Sequence, residues 1–179
     1  MSTTKAIIGL GNIGNEFNNT YHNVGFFVVD KLVERWGIEP NYKKIKNSSI
    51  IETTFKGNKI IIAKPSTYMN LSGRAVLEIM QKYKIKTNDI VVVFDDFDLP
   101  LGKVRYRERG SAGTHNGLRD IVASIGTNFK RVKMGIGVSE RKANFNLRNY
   151  VTSHLTAEEK EIFLNNVNEA IDKIEQCLC

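Results

Sequence analysis

Residues 90–94 constrain the fold more than any other segment, because five apolar residues follow one another there without a polar interruption. Such a strand is typical of a sheet that is covered on both faces. The apolar run 6–10 precedes an amphipathic helix pattern over residues 24–36, and strands alternate with helices from there on. One β-hairpin, over residues 49–63, interrupts the alternation. The sequence therefore predicts an α/β fold, a three-layer α/β/α sandwich with a twisted mixed sheet.

Length and composition predict a single domain over residues 1–179. A chain of 179 residues, 41% of them hydrophobic, fills one core and is short for two. No run reaches the roughly 18 to 20 apolar residues that a membrane helix needs, and the N-terminus lacks the pattern of a signal peptide. Cys177 and Cys179 are too few for a disulfide framework or a zinc site. We therefore expect a soluble, cytoplasmic protein with no membrane partner.

The formal net charge of +7 leaves two alternatives open. It indicates an anionic partner, most commonly nucleic acid, or lysines that only keep the protein in solution. A cluster of basic side chains on one face would indicate the anionic partner, whereas scattered lysines would not. A predicted strand over residues 103–109 places four basic side chains on one face, because side chains alternate along a strand. They are Lys103, Arg105, Arg107 and Arg109. This cluster favours the anionic partner.

The glycine- and asparagine-rich segment 9–25 follows the first strand, where α/β proteins commonly bind ligands. Its first glycines match the dinucleotide fingerprint G-x-G-x-x-G, and Asp30 lies at a distance suitable for a ribose contact. That motif requires a helix to open at the glycines, whereas the helical pattern here begins only near Asn23. Dinucleotide binding is therefore the less favoured alternative, and the segment is interpreted as a ligand loop that carries His22.

Further polar residues follow other predicted strands. Asn70 and Asn116 lie at the mouths of predicted helices, and Asn116 would either cap its helix or point at a substrate. Asp95, Asp96 and Asp98 come directly after the apolar strand and could hold a metal. The favoured interpretation is that one aspartate orients a catalytic base while the others cap turns.

The C-terminal part of the chain carries two further signals. Residues 139–155 are polar with scattered apolar positions, which is typical of a mobile flap near a site. Residues 156–159, Thr-Ala-Glu-Glu, form a capping box that predicts the start of the last helix.

The strand-end loops together supply one histidine, one carboxylate and several amides: His22, Asp95, Asn12, Asn70 and Asn116. This set suits hydrolysis without a metal. His22 would act as general base toward water, because imidazole titrates near neutral pH. Asp95 would fix the tautomer of that histidine, and the amides would hold the substrate carbonyl and its oxyanion. His115 and His154 could equally be ordinary loop histidines.

Six segments carry a resemblance to a known family. In chain order they read GLGNIG, YHNVG, TYMNLSG, DDFDLP, SAGTHNGL and GIG. In these motifs the chain resembles the bacterial-type peptidyl-tRNA hydrolases over essentially its whole length. The resemblance implies a monomeric, cofactor-free enzyme that cleaves the ester between a peptide and the 3′-terminal ribose of tRNA. The same fold also resembles chloroplast splicing factors, which bind RNA without hydrolysis, and this is the alternative.

The resemblance implies roles for single residues, with His22 as catalytic base, Asp95 as its partner, and no metal. The implied substrate-binding residues are Asn12, Phe17, Met69, Asn70, His115 and Asn116, with His115 supporting Asn116. The implied tRNA phosphate-binding residues are Arg105, Arg107 and Lys133. The chain departs from the family pattern at Ile13, Phe17, Thr114 and residues 138–139. None of these departures removes a reacting group.

Overall fold

The computed structural model describes residues 3–137 and 145–179. The strands are β1 (Thr4–Gly9), β2 (Lys43–Lys44), β3 (Ser48–Phe55), β4 (Asn58–Pro65), β5 (Ile90–Pro100), β6 (Val104–Arg107) and β7 (Lys130–Gly137). The helices are α1 (Val24–Arg35), α2 (Ser72–Tyr83), α3 (Asn116–Ile125), α4 (Leu147–Val151) and α5 (Ala157–Cys177). Within the described ranges, every helix is too short or too polar to cross a lipid bilayer.

The strands form one mixed sheet in the order β2-β3-β4-β1-β5-β7-β6. The central strands β4, β1, β5 and β7 run parallel, while β2 and β3 at one edge and β6 at the other pair antiparallel with their neighbours. The predicted hairpin is β3–β4, and its turn holds Lys56 and Gly57 at φ 49° and 81°. Two left-handed residues are what a tight hairpin turn requires. The predicted α/β class with a mixed sheet is confirmed.

Two cores lie on opposite faces of the sheet. Along β5, Val91 and Val93 pack with α1 and α5, whereas Val92 and Phe94 pack with α2 and α3. Because successive strand side chains point to opposite faces, an uninterrupted apolar run supplies both cores at once. The predicted three-layer α/β/α sandwich is therefore confirmed.

Close packing between β1 and α1 explains two glycines of the first loop. A Cβ atom on Gly9 would lie 2.4 Å from the carbonyl oxygen of Gly25, and one on Gly25 would lie 2.5 Å from the nitrogen of Leu10. Glycine is required because any side chain would separate the helix from the strand. The helix begins at Val24 and not at the first glycines, so the dinucleotide alternative lacks the helix N-terminus that it needs.

Several predicted boundaries shift. β5 continues through the aspartates to Pro100, with a register irregularity after Asp96, so these residues lie in a strand and not in a turn. The predicted strand 103–109 is shortened to β6, and α4 lies inside the predicted flap 139–155. The first part of that flap, including Ser139, and the departure from the family pattern at residues 138–139 lie outside the described residues. The capping box of α5 is confirmed in both of its hydrogen bonds.

Candidate active site

His22 and His115 both bind the carboxylate of Asp95, which is 1% exposed within β5. Nδ1 of His22 lies 2.7 Å from Oδ2, and Nε2 of His115 lies 2.9 Å from Oδ1. His22 is supplied by the 3-10 turn Tyr21–Asn23 just before α1, while His115 is the N-cap of α3. The structure thus brings the predicted base and its predicted carboxylate together and adds a second histidine to them.

The helix cap fixes the tautomer of His115. Its Nδ1 accepts a hydrogen bond from the backbone N–H of Leu118 at 3.2 Å, so the proton of the neutral ring lies on Nε2 and is donated to Asp95. An ionised carboxylate can only accept, so His22 must donate from Nδ1 to the other oxygen of Asp95. Nε2 of His22 then carries the lone pair that can take a proton from water.

Burial and hydrogen bonding shift the pKa values of this pair. Burial raises the pKa of Asp95, but the charges and hydrogen bonds of His22 and His115 outweigh it and hold that pKa well below its usual range. For His22, burial lowers the pKa, whereas the charge and hydrogen bond of Asp95 raise it, and the net direction is upward. Asp95 is therefore ionised at neutral pH, and His22 is a stronger base than a free imidazole.

Asn12 and Asn23 join the loop after β1 to the turn that carries His22. The side chain of Asn23 accepts the backbone N–H of Asn12 at 2.8 Å and donates to its carbonyl at 2.9 Å. Oδ1 of Asn12 accepts the N–H of Met69 at 2.6 Å, which leaves its NH₂ group as the part suited to donate to a substrate. Sequence reasoning gave Asn23 no role, although it lies within the YHNVG segment.

A cleft of about 980 Å³ opens over these residues. It is lined by all the predicted catalytic and substrate-binding residues, which are Asn12, Phe17, His22, Met69, Asn70, Asp95, His115 and Asn116. Asn70 and Asn116 are exposed there. His115 caps α3, so Asn116 is not the helix cap. Both ring nitrogens of His115 are engaged, with Asp95 and Leu118, and the expectation that His115 supports Asn116 stays a prediction.

Phe17 and Met69 supply apolar surface to the cleft, and Tyr68 and Gly117 lie next to them outside its lining. The ring of Phe17 meets that of Tyr68 edge-on, with centroids 6.5 Å apart, and Tyr68 is 51% exposed. Tyr68 has a φ of 63°, an uncommon conformation for a residue other than glycine. Met69 lies close against Gly117, where an added Cβ would approach the Met69 sulfur to 2.5 Å. Tyr68 lies in the segment TYMNLSG and Gly117 in SAGTHNGL, and neither residue was predicted to have a role.

The predicted phosphate-binding residues lie on neighbouring strands. Arg105 of β6 pairs directly with Lys133 of β7, and Arg107 pairs with Arg131 one step further along. Opposed residues of an antiparallel pair share a face, so these side chains lie on the same face of the sheet. Arg105 and Lys133 line the cleft, and Lys133 also lies 3.6 Å from Asp96. Two arginines that the sequence prediction did not include line it too, Arg119 and Arg148.

The structure also bears on the metal alternative. Ligand atoms of His22, Asp95 and His115 lie within 4.8 Å of one another, but the histidine nitrogens are hydrogen-bonded to the carboxylate. Asp96 pairs with Lys133 and accepts the N–H of Asp98 at 2.8 Å. Within residues 3–137 and 145–179, Asp95, Asp96 and Asp98 do not together form a metal-binding group. The three-aspartate metal site is therefore not supported.

The α/β/α fold and the carboxylate-oriented histidine together define the class of the protein as a hydrolase. Comparison with known proteins identifies the family. The family model described as peptidyl-tRNA hydrolase matches residues 6–179, and the chain belongs to this family.

Individual relatives agree over nearly the whole chain. A peptidyl-tRNA hydrolase of Sulfurihydrogenibium sp. is 48% identical over 171 residues, which cover 93% of this chain and 88% of the relative. One from Clostridium botulinum is 41% identical over 173 residues, covering 96% and 88%. The crystal structure of peptidyl-tRNA hydrolase from Acinetobacter baumannii matches with a TM-score of 0.89 and 32% identity, covering 99% and 90%. The non-hydrolytic alternative receives no support from these relatives.

Proposed function

We propose that this protein hydrolyses peptidyl-tRNA at the ester between the peptide and the 3′-terminal ribose, with His22 as general base. The observation that carries the proposal is the 2.7 Å hydrogen bond from His22 Nδ1 to the buried carboxylate of Asp95, at the floor of an amide-lined cleft. The direct test incubates the purified protein with one defined peptidyl-tRNA and measures free peptide and free tRNA. Absence of both products would contradict the proposal.

The chemistry needs one water molecule. Nε2 of His22 takes a proton from the water as its oxygen attacks the ester carbonyl, and Asp95 stabilises the imidazolium that forms. Amide N–H groups of Asn12, Asn70 and Asn116 stabilise the negative charge on the carbonyl oxygen. When the tetrahedral intermediate collapses, the C–O bond to the ribose breaks. The imidazolium returns its proton to the ribose oxygen, which releases tRNA, and the new carboxyl group of the peptide loses its proton to solvent.

The two ends of the substrate differ in chemistry, and so does the cleft. Phe17 and Met69 offer apolar surface for the peptide, whose side chains vary from one substrate to another. Arg105 and Lys133 in the cleft, and Arg107 two residues further along β6, offer positive charge for the phosphates of the tRNA acceptor stem. We propose that residues 1–179 act as one domain, as a monomer and in the cytoplasm, where translation supplies this substrate.

The basic residues of β6 and β7 lead to a prediction on substrate size. Arg107→Ala and Arg105→Ala are each expected to lower kcat/KM about 10- to 100-fold on full peptidyl-tRNA, since a charge-assisted hydrogen bond contributes about 1.5–3 kcal/mol. Activity on a short ester substrate without the acceptor stem is expected to stay within about twofold. Lys133→Arg is expected to hold activity, because charge is kept and a bidentate donor is gained. The measurement is kcat/KM of each variant on both substrates.

Lys44→Ala provides the control for that comparison, because it removes one positive charge from β2 at the opposite edge of the sheet. It is expected to leave both substrates unaffected. Equal losses on the short and the full substrate would show that the arginines support the fold or the reacting centre, and their phosphate role would be withdrawn.

A second prediction concerns metals. Hydrolysis is expected to persist in the presence of EDTA, because the proposed base is an imidazole that needs no metal-bound water. The measurement is the initial rate on the short ester substrate before and after chelation, which avoids effects of magnesium on tRNA folding. Complete loss of activity that a divalent ion restores would instead assign the His22, Asp95 and His115 group to metal binding.

A further inference from the structure

Tyr21, the residue before the proposed base, forms a hydrogen bond that joins the catalytic turn to the last helix. Its side chain is 6% exposed, and its hydroxyl donates to Oε2 of Glu159. The other oxygen of Glu159, Oε1, accepts the backbone N–H of Thr156 at 2.9 Å, and the N–H of Glu159 donates to the Thr156 hydroxyl at 3.1 Å. One carboxylate thus completes the capping box of α5 and also holds Tyr21.

Backbone contacts strengthen the same junction. The N–H of Tyr21 donates to the carbonyl of Ser153 at 3.3 Å, and the N–H of Leu155 donates to the carbonyl of Asn19 at 2.7 Å. Thr20 and His154 form an isolated antiparallel bridge between these two bonds. The catalytic loop therefore pairs, over residues 19–21, with the segment that leads into α5.

The ring of Tyr21 is held as well as its hydroxyl. Its centroid lies 4.4 Å from that of Tyr150, whose own hydroxyl donates to the carbonyl of Ile136 at 2.6 Å. Burial and then the hydrogen bond to Glu159 raise the pKa of Tyr21, so its hydroxyl stays protonated and able to donate throughout the neutral range. Tyr21 is thus fixed between the last helix and the end of β7.

His22 depends on the position of this loop. Asp95 lies in the central sheet and is itself fixed by His115, so the distance between Asp95 and His22 is set by where the turn Tyr21–Asn23 places the His22 backbone. One end of the turn is held by Asn23 on Asn12. The other end is held by Tyr21. A hydrolytic base must be positioned to within a fraction of an ångström for proton transfer.

We propose that Tyr21 and Glu159 are positioning residues for the general base, and that their hydrogen bond makes the N-terminus of α5 a support of the catalytic turn. This inference rests on the proposed role of His22. A capping box alone requires a single carboxylate oxygen, and the second oxygen of Glu159 serves the catalytic turn. Neither Tyr21 nor Glu159 lines the cleft, so neither side chain contacts the bound substrate. We therefore expect their hydrogen bond to affect kcat and not KM.

The decisive variant is Tyr21→Phe, which removes one hydroxyl, keeps the ring on Tyr150 and leaves the capping box complete. We expect kcat on a short ester substrate to fall about tenfold, with KM changed by less than about twofold, because a base displaced by about 1 Å loses up to about a hundredfold. The matched control is Tyr42→Phe. The hydroxyl of Tyr42 also donates to a carboxylate, that of Asp30, at 2.9 Å. The Tyr42→Phe variant is expected to leave kcat unchanged.

Two further variants separate positioning from helix stability. Thr156→Ala removes the cap of α5 but keeps the bond between Tyr21 and Glu159, so it is expected to lower Tm and leave kcat unchanged at a temperature where the protein is folded. Glu159→Gln weakens both roles. The double variant of Tyr21→Phe and Glu159→Gln is expected to lose no more kcat than the more affected single variant, because both changes break one bond.

A value of kcat for Tyr21→Phe within about twofold of the wild type would overturn the inference, as would losses that multiply in the double variant. A loss with Thr156→Ala as large as that with Tyr21→Phe would also overturn it, since the support would then be general stability. The wild type and His22→Ala are measured in the same assay. Equal turnover by the wild type and His22→Ala would contradict the proposed base. Normal kcat in Tyr21→Phe, together with loss of activity in His22→Ala, would contradict the positioning role alone.

Discussion

His22→Ala is expected to lower turnover by about 10²- to 10⁴-fold, the usual contribution of a general base. The imidazole lies at the floor of the cleft and outside both apolar cores. Its hydrogen bond to Asp95 at 2.7 Å is lost with it, but Asp95 keeps His115 as a partner. The fold is therefore expected to survive. The measurements are kcat on the short ester substrate and Tm by circular dichroism.

His154→Ala is the control for that variant, because it makes the same side-chain change on an exposed histidine whose bridge to Thr20 uses backbone atoms. It is expected to keep normal turnover. Near-normal hydrolysis by a folded His22→Ala protein would contradict the mechanism.

The pH dependence of the wild type gives an independent readout of the same residue. The base works only when neutral, so kcat/KM must fall as the pH drops through the pKa of His22. Burial lowers that pKa, and the stronger effect of the Asp95 carboxylate raises it, so the midpoint of the acid limb is expected above about 6.5, the value of a free imidazole. In His22→Ala this limb is expected to disappear from the residual activity.

The fold could be predicted because single segments carry its signals. The apolar run in β5 requires cover on both faces, and Gly57 at φ 81° marks the hairpin turn through backbone geometry. The boundary of β5 could not be predicted in the same way. Its last residues include three aspartates, which favour turns locally, and the strand continues through them because β7 pairs with it as far as Pro100.

The residue types of the site and the pairing of His22 with Asp95 could also be predicted, but the other hydrogen bonds of the site could not. That Asp95 binds two histidines depends on contacts between residues 73 and 20 positions apart in the chain. The link between Tyr21 and Glu159 spans 138 positions, and neither residue is unusual in its local sequence. Local patterns carry no information on such pairs. The sequence shows a tyrosine and a capping box, and only the fold shows that one carboxylate serves both.

Arg131 illustrates the same limit for a charged residue. Its side chain is completely buried, with the guanidinium 3.9 Å from the ring centroid of Phe129, and it donates to the carbonyls of Thr127, Phe129 and Gly110. Burial lowers its pKa to about 10. Strand alternation puts Arg131 on the same face of the sheet as Lys133, which lines the cleft. The alternation of side chains along a strand does not show that Arg131 is buried while Lys133 faces the cleft.

Asp95→Asn is expected to be nearly as damaging as His22→Ala, because the tautomer of His115 decides how the new amide is oriented. Nδ1 of His115 accepts the N–H of Leu118, so its Nε2–H must find an acceptor. The amide oxygen takes that place, which turns the amide NH₂ toward His22. Nδ1 of His22 then has to accept, so its proton moves to Nε2 and the lone pair that receives the proton of water is lost.

Turnover of Asp95→Asn is therefore expected to fall by about 10²- to 10⁴-fold, as for loss of the base itself, since a histidine in the wrong tautomer is no base at Nε2. The measurement is kcat on the short ester substrate. Asp30→Asn serves as the control, because it makes the same change in an aspartate that binds Tyr42 and Lys64 at an exposed site, and it is expected to leave kcat unchanged. A folded Asp95→Asn protein that keeps more than about a tenth of wild-type turnover would contradict the tautomer assignment, and Asp95 would then contribute charge without setting the protonation of His22.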